Sequence, residues 1–88
     1  MSRQIWKFPI ALTEQQEIQM PVGARILCIQ VQGKFPCMWA VVDPMAAREH
    51  RTFQVVGTGN PVAEEVLRNY VGTWQWEGYV WHLFEVTP

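Results

Sequence analysis

Nowhere in this 88-residue chain does an apolar run approach the roughly 18 residues of a membrane-crossing helix, so no such helix is expected. Charge of a single sign is lacking too. Seven Lys and Arg stand against eight Asp and Glu, for a net charge of −1. Neither sign forms a run. That argues against a duplex nucleic-acid binder, which carries a basic stripe, and against an electrostatic membrane binder. Cysteine is scarce, with only Cys28 and Cys37. Both lie inside apolar runs, where a free thiol behaves as a small hydrophobe. A disulfide across a hairpin is the alternative. The opening Met1-Ser2-Arg3-Gln4-Ile5-Trp6-Lys7 is too polar for the apolar core of a secretory leader. Reduced thiols and a cytoplasmic location are therefore expected. No linker, low-complexity stretch or internal repeat divides the chain, so residues 1–88 are expected to form a single domain.

Catalytic and metal signatures are missing as well. His50 and His82 have no Cys or carboxylate at ligand spacing, so no metal or other cofactor is expected. His82, between Trp81 and Leu83, reads as a satisfied structural histidine. Glu64 and Glu65 are adjacent and point apart in helix or strand, so they form no acid–base dyad. Asp43 precedes Pro44, where an Asx-type turn accounts for it. No motif surrounds any threonine, and no nucleophile–base pair is visible. An enzyme is not expected.

Aromatic residues, by contrast, are plentiful. Five Trp, four Phe and two Tyr occur in this short chain. Each can bury about 150–250 Å², which is how a domain with a thin core acquires stability. Trp74 and Trp76 share one face of an alternating segment, with Gln75 opposite. Trp81 lies in the segment that would pair with theirs. Such rings form a core layer, an exposed stacking platform or an oligomer interface.

Breakers cut the chain into short pieces: Pro9, Pro21, Gly23, Gly33, Pro36, Pro44, Gly57, Gly59, Pro61, Gly72 and Gly78. Their spacing leaves room for strands and little for helices. Gln4–Ile10 alternates and meets Pro9, which suits an edge strand. Glu17–Met20 is a short strand after a polar turn at Leu12–Glu17. Arg25–Gln32 is the clearest strand, with Leu27, Ile29 and Val31 on one face and Cys28, Gln30 and Gln32 on the other. Gly33-Lys34 closes a hairpin onto Phe35–Asp43. The run Met38–Val42 is apolar on both faces. It is either a central strand covered on both sides or one with a face reserved for a partner. Met45–Glu49 reads as one helical turn and His50–Val56 as a strand. Val62–Tyr70 is a short helix or an irregular segment. Val71–Trp76 and Tyr79–Val86 form a last hairpin around Glu77-Gly78.

About seven short strands with tight turns and no βαβ pattern predict a mainly β fold, a small antiparallel sandwich or barrel with at most one short helix. An α+β arrangement, with Val62–Tyr70 packed on a sheet, is the alternative. The candidate ligand-binding residues are of three kinds. Arg48, His50 and Arg51 form a local basic cluster suited to an anion. Gly57, Thr58 and Gly59 form a loop that resembles a phosphate cradle, although it lacks the remaining residues of either nucleotide fingerprint. Trp74, Trp76 and Trp81 supply rings for stacking a planar anionic ligand such as a nucleotide.

Laid end to end, several stretches resemble a family of short proteins of unassigned function found in phages and bacterial genomes. They are Ile5-Trp6-Lys7-Phe8-Pro9, Met20-Pro21-Val22-Gly23-Ala24, Pro36-Cys37-Met38-Trp39-Ala40-Val41-Val42-Asp43-Pro44, Gly57-Thr58-Gly59-Asn60-Pro61, Tyr70-Val71-Gly72-Thr73 and His82-Leu83-Phe84-Glu85. The resemblance implies a phage or prophage setting and brings no functional residues with it. In that setting the expected role is that of a non-catalytic accessory protein acting by binding. Its target would be a host immune complex or a small nucleotide-derived signal, and its work anti-defence. A structural, assembly or adaptor module of the phage is the alternative. A homo-oligomer is expected, because small β domains with apolar faces self-associate.

Overall fold

The computed structural model describes residues 2–86. They form seven strands: β1 (Gln4–Pro9), β2 (Gln15–Pro21), β3 (Arg25–Gln32), β4 (Phe35–Val42), β5 (Arg48–Gly57), β6 (Asn69–Trp76) and β7 (Tyr79–Val86). A single 3₁₀ turn, Glu64–Arg68, precedes β6. The strands make two antiparallel sheets, one ordered β1-β4-β3 and the other β2-β5-β7-β6. The predicted small sandwich is the observed fold. No helix among the described residues is long and apolar enough to cross a membrane.

Alternation builds the core. In the first sheet Phe8, Ile29, Met38, Ala40 and Val42 point inward, and in the second Met20, Phe53, Val55, Trp74 and Leu83 do so. All are buried, and together they form one apolar layer between the sheets. Two hairpins are local in origin. Gly33 at φ 63° turns β3 into β4, and Glu77 and Gly78, at φ 55° and 81°, turn β6 into β7. Two consecutive positive-φ residues are what a type I′ hairpin requires, and glycine meets that requirement without a Cβ clash.

Three local expectations are corrected. Met45–Glu49 is not helical. Arg48 and Glu49 already belong to β5, opposite Pro21 and Met20, because ladder pairing outweighs the weak helical preference of so short a segment. β2 likewise begins at Gln15, two residues before the predicted start. Leu27 does not share the inward face of Ile29. The register shifts between Ile26 and Cys28, and this bulge turns Leu27 outward at the sheet edge. The undecided Val62–Tyr70 segment contains the short 3₁₀ turn, whose Val66 is buried, before it joins β6.

Candidate functional site

The core uses only one face of the β1-β4-β3 sheet. On the other face, cross-strand partners set Ile5 beside Val41, Lys7 beside Trp39, Arg25 beside Val41 and Cys28 beside Trp39. No described strand or turn packs against this face, although the Lys7 ammonium donates to Gln32 Oε1 across it at 2.9 Å and Cys37 on it is buried. Ile5 is 62% exposed, Leu27 47% and Phe35 64%. A groove of about 480 Å³ runs over it, lined by Ile5, Leu27, Cys28, Val31 and Trp39, with Gln30 and Gln32 at its margin. At one end, next to Ile5 and Val41, a second hollow of about 290 Å³ is lined by Arg3, Arg25, Gly23 and Val41. The radius of gyration is 13.2 Å, against about 12 Å for a compact chain of this length, in keeping with an uncovered sheet face. Contiguous exposed apolar surface on a small domain marks an interaction site more often than scattered single residues do. Of the two readings open for the Met38–Val42 run, the structure supports the uncovered face.

The residues singled out from sequence are dispersed by the fold. Arg51 turns into the sandwich, where Nε and Nη2 donate to the two carboxylate oxygens of Glu85 at 2.6 and 2.7 Å. Its Nη1 donates to the Ala24 carbonyl at 2.6 Å. Glu85, chiefly through these hydrogen bonds, holds the guanidinium above the ordinary arginine value, so it is charged at every working pH. Arg48 instead lies over the Trp6 ring, 5.2 Å from its centroid, and donates to the Ala46 carbonyl. His50 is exposed, on the opposite face of β5 from Arg51. The three do not converge.

The tryptophans are committed as well. Trp74 is buried in the core layer, directly opposite Trp81. Trp76 donates its Nε1–H to the Lys34 carbonyl, and Trp81 donates to the Trp76 carbonyl. Both pack against the core.

The Gly57-Thr58-Gly59 loop is spoken for by its own backbone. Gly59 sits at φ 89°, and a Cβ on Gly57 would come within 2.8 Å of the Asn60 amide. The Thr58 N–H donates to the Val80 carbonyl and the Asn60 N–H to the Gly57 carbonyl. Two donors that a phosphate cradle would need are thus already used.

Sequence reasoning missed one cluster, beside that loop. His82 Nε2 lies 2.7 Å from Thr58 Oγ1 and Nδ1 lies 2.9 Å from Thr73 Oγ1, which in turn is 2.5 Å from the Tyr70 hydroxyl. A hydroxyl held by an imidazole that a third group orients is the arrangement of an activated nucleophile. Thr58 Oγ1 donates to the Val80 carbonyl at 3.2 Å, and the imidazole tautomer sets which partner donates in the shorter Thr58–His82 contact. The cluster therefore fastens the loop to β7. No local sequence signal reveals it, because its members lie up to 24 residues apart. Thr58→Ala is expected to cost about 1 kcal/mol and to accelerate amide hydrogen exchange at Thr58–Asn60, leaving the core strands protected. Among the described residues, no three His, Cys, Asp or Glu side chains gather as a metal site would need.

Two packed antiparallel sheets, one of them built on a central strand that is apolar on both faces and covered on one, define a small β-sandwich domain with an open sheet face. The chain belongs to the family described as a domain of unknown function (DUF7352), which matches residues 1–88. Comparison with curated proteins and with solved structures finds no match.

Proposed function

We propose that this protein is a non-catalytic phage accessory protein that acts by binding a protein, with the open face of the β1-β4-β3 sheet as its contact surface. The supporting observation is the uncovered groove of Ile5, Leu27, Cys28, Val31 and Trp39. Apolar side chains of this kind form the buried centre of protein interfaces, and tryptophan, here Trp39, is enriched among the anchors that carry their energy. The phage setting rests on the resemblance of the sequence. In that setting the role is anti-defence, by occupying a surface of a host immune complex in the cytoplasm. Sequestration of a nucleotide-derived signal is less well served, because the Gly57–Gly59 loop, Arg51 and the three tryptophans are engaged within the domain. A phage assembly role would use the same face, and a place among morphogenesis genes would favour it.

Native mass spectrometry of the protein from infected cells tests the proposal. The wild type is expected to carry a stoichiometric host protein. Leu27→Asp is expected to weaken that complex at least about tenfold, while Gln19→Asp on the other sheet leaves it intact. The same spectrum reads the subunit count and so the expected homo-oligomer. A retained mass of a few hundred daltons per subunit would turn the reading to sequestration, and a bare subunit would sink host binding.

A further inference from the structure

We propose that the groove on the β1-β4-β3 sheet takes an acidic amphipathic segment of the partner protein. Its apolar side chains lie against Ile5, Leu27 and Trp39, and its carboxylates meet Arg3 and Arg25. The inference rests on the protein-docking reading and adds the chemistry of what docks.

Charge is sorted between the two sheets. Strands β1, β3 and β4 carry Lys7 and Arg25 and no carboxylate. Arg3 stands just before β1, and Lys34 lies in the β3–β4 turn. The strands of the other sheet carry Glu17, Glu49 and Glu85. Glu14, Glu64, Glu65 and Glu77 lie in the segments joined to them. The net charge of −1 conceals this division. Asp43, directly after β4, is turned to its own loop, where Oδ1 accepts the Met45 N–H at 3.0 Å.

Arg3 and Arg25 line one hollow, and cross-strand pairing joins it to the groove. Arg25 is opposite Val41, and Val41 is opposite Ile5. Among the described residues neither arginine's side chain makes a hydrogen bond or an ion pair, whereas those of Arg48 and Arg51 are both engaged. Cations without carboxylate partners beside an apolar groove favour an occupant with an apolar ridge and acidic flanks.

Size limits the occupant to a segment. Three strands at about 4.8 Å spacing present a face about 10 Å across, the width of one helix or a strand pair. Two copies stacked through this face would bury far less than the roughly 800 Å² per partner of a stable interface. They would also bring like charges together. Single-stranded nucleic acid would find two rings on this face, Trp39 in the groove and the exposed Phe35, and each stacked base contributes only about 1–3 kcal/mol.

The test is an NMR titration of the labelled full chain with a designed amphipathic peptide of about three helical turns, apolar on one face and rich in glutamate on the other. A matched peptide with lysine in place of glutamate is the control. Oligothymidylate and anionic phosphatidylglycerol vesicles are titrated in parallel. The acidic peptide is expected to shift resonances of β1, β3 and β4 and to saturate in the micromolar range. Its affinity is expected to fall about tenfold between low salt and about 0.5 M. Arg3→Ala with Arg25→Ala is expected to weaken it about tenfold, and Leu27→Asp to remove the shifts. These positions are exposed, so the dispersed spectrum of each variant reports an intact fold.

Equal binding of the lysine peptide, shifts confined to the other sheet, self-pairing of the apolar face, or a response only to the oligonucleotide or the vesicles would each overturn the inference. A host complex that Leu27→Asp breaks, alongside a wild type blind to the acidic peptide, would overturn this inference and leave the docking proposal standing.

Discussion

Gly72→Ala is expected to destabilise the protein by about 2–3 kcal/mol, a large share of the roughly 4–13 kcal/mol available to a domain of this length. A Cβ built on Gly72 falls 2.6 Å from Ile29 Cγ2. That methyl belongs to a β-branched side chain, which has little χ1 freedom to yield. Ile29 is itself buried in the core layer. Gly72 sits where the β6–β7 register slips between Tyr70 and Gly72, at the place where β6 approaches β3 of the opposite sheet. A side chain there pushes the two sheets apart. Urea denaturation of Gly72→Ala, Ile29→Ala and the double variant checks this. Ile29→Ala alone is expected to cost about 2–4 kcal/mol. The double variant should cost at least about 1 kcal/mol less than the two together, because removing Cγ2 removes the clash. Strict additivity would refute the close-approach account.

Arg51→Ala is expected to cost about 2–3 kcal/mol. The loss leaves the largely hidden Glu85 carboxylate without its cation and the Ala24 carbonyl without its donor. Both side chains are less than one-fifth exposed, at 19% and 17%, so solvent replaces little of what is lost. The raised arginine value places the sign of any pH effect. Arg51's contribution is fully present throughout the working range and is lost only in strong alkali, as pH passes the folded value. Glu85→Leu combined with Arg51→Met should recover most of the loss, since two apolar groups of similar size strand no charge. Thermal unfolding of the set decides the matter. An Arg51→Ala protein as stable as the wild type would mean that the residue is free for a ligand after all.

How far the sequence could be read depended on the range of the interactions. Arg25–Gln32 alternates and is followed by Gly33, so its strand and its hairpin with Phe35–Val42 were legible within a few residues. The same holds for Tyr79–Val86, where period-2 alternation puts Leu83 and His82 on opposite faces. The basic cluster Arg48-His50-Arg51 misled for the same reason in reverse. Neighbours along a strand point to opposite faces, and Glu85, 34 residues away, captures Arg51. Thr58 and His82 were each singled out in the sequence but not as a pair, and they meet only because β5 and β7 pair. Leu27 left the face predicted for it beside Ile29 through a one-residue bulge, which no local propensity marks.

By itself, the sequence determined that this is a small β domain of short strands and tight turns, low in net charge and rich in aromatic rings. Those properties are set by composition, by alternation and by the backbone demands of glycine and proline, all of which act locally. The tertiary structure alone decided which strands became neighbours and which side of the two-sided apolar strand β4 received the second sheet. An apolar run looks the same from both faces. Only the packing of distant strands distinguishes them, covering Met38, Ala40 and Val42 and leaving the Trp39 side open beside Ile5, Leu27 and the two arginines.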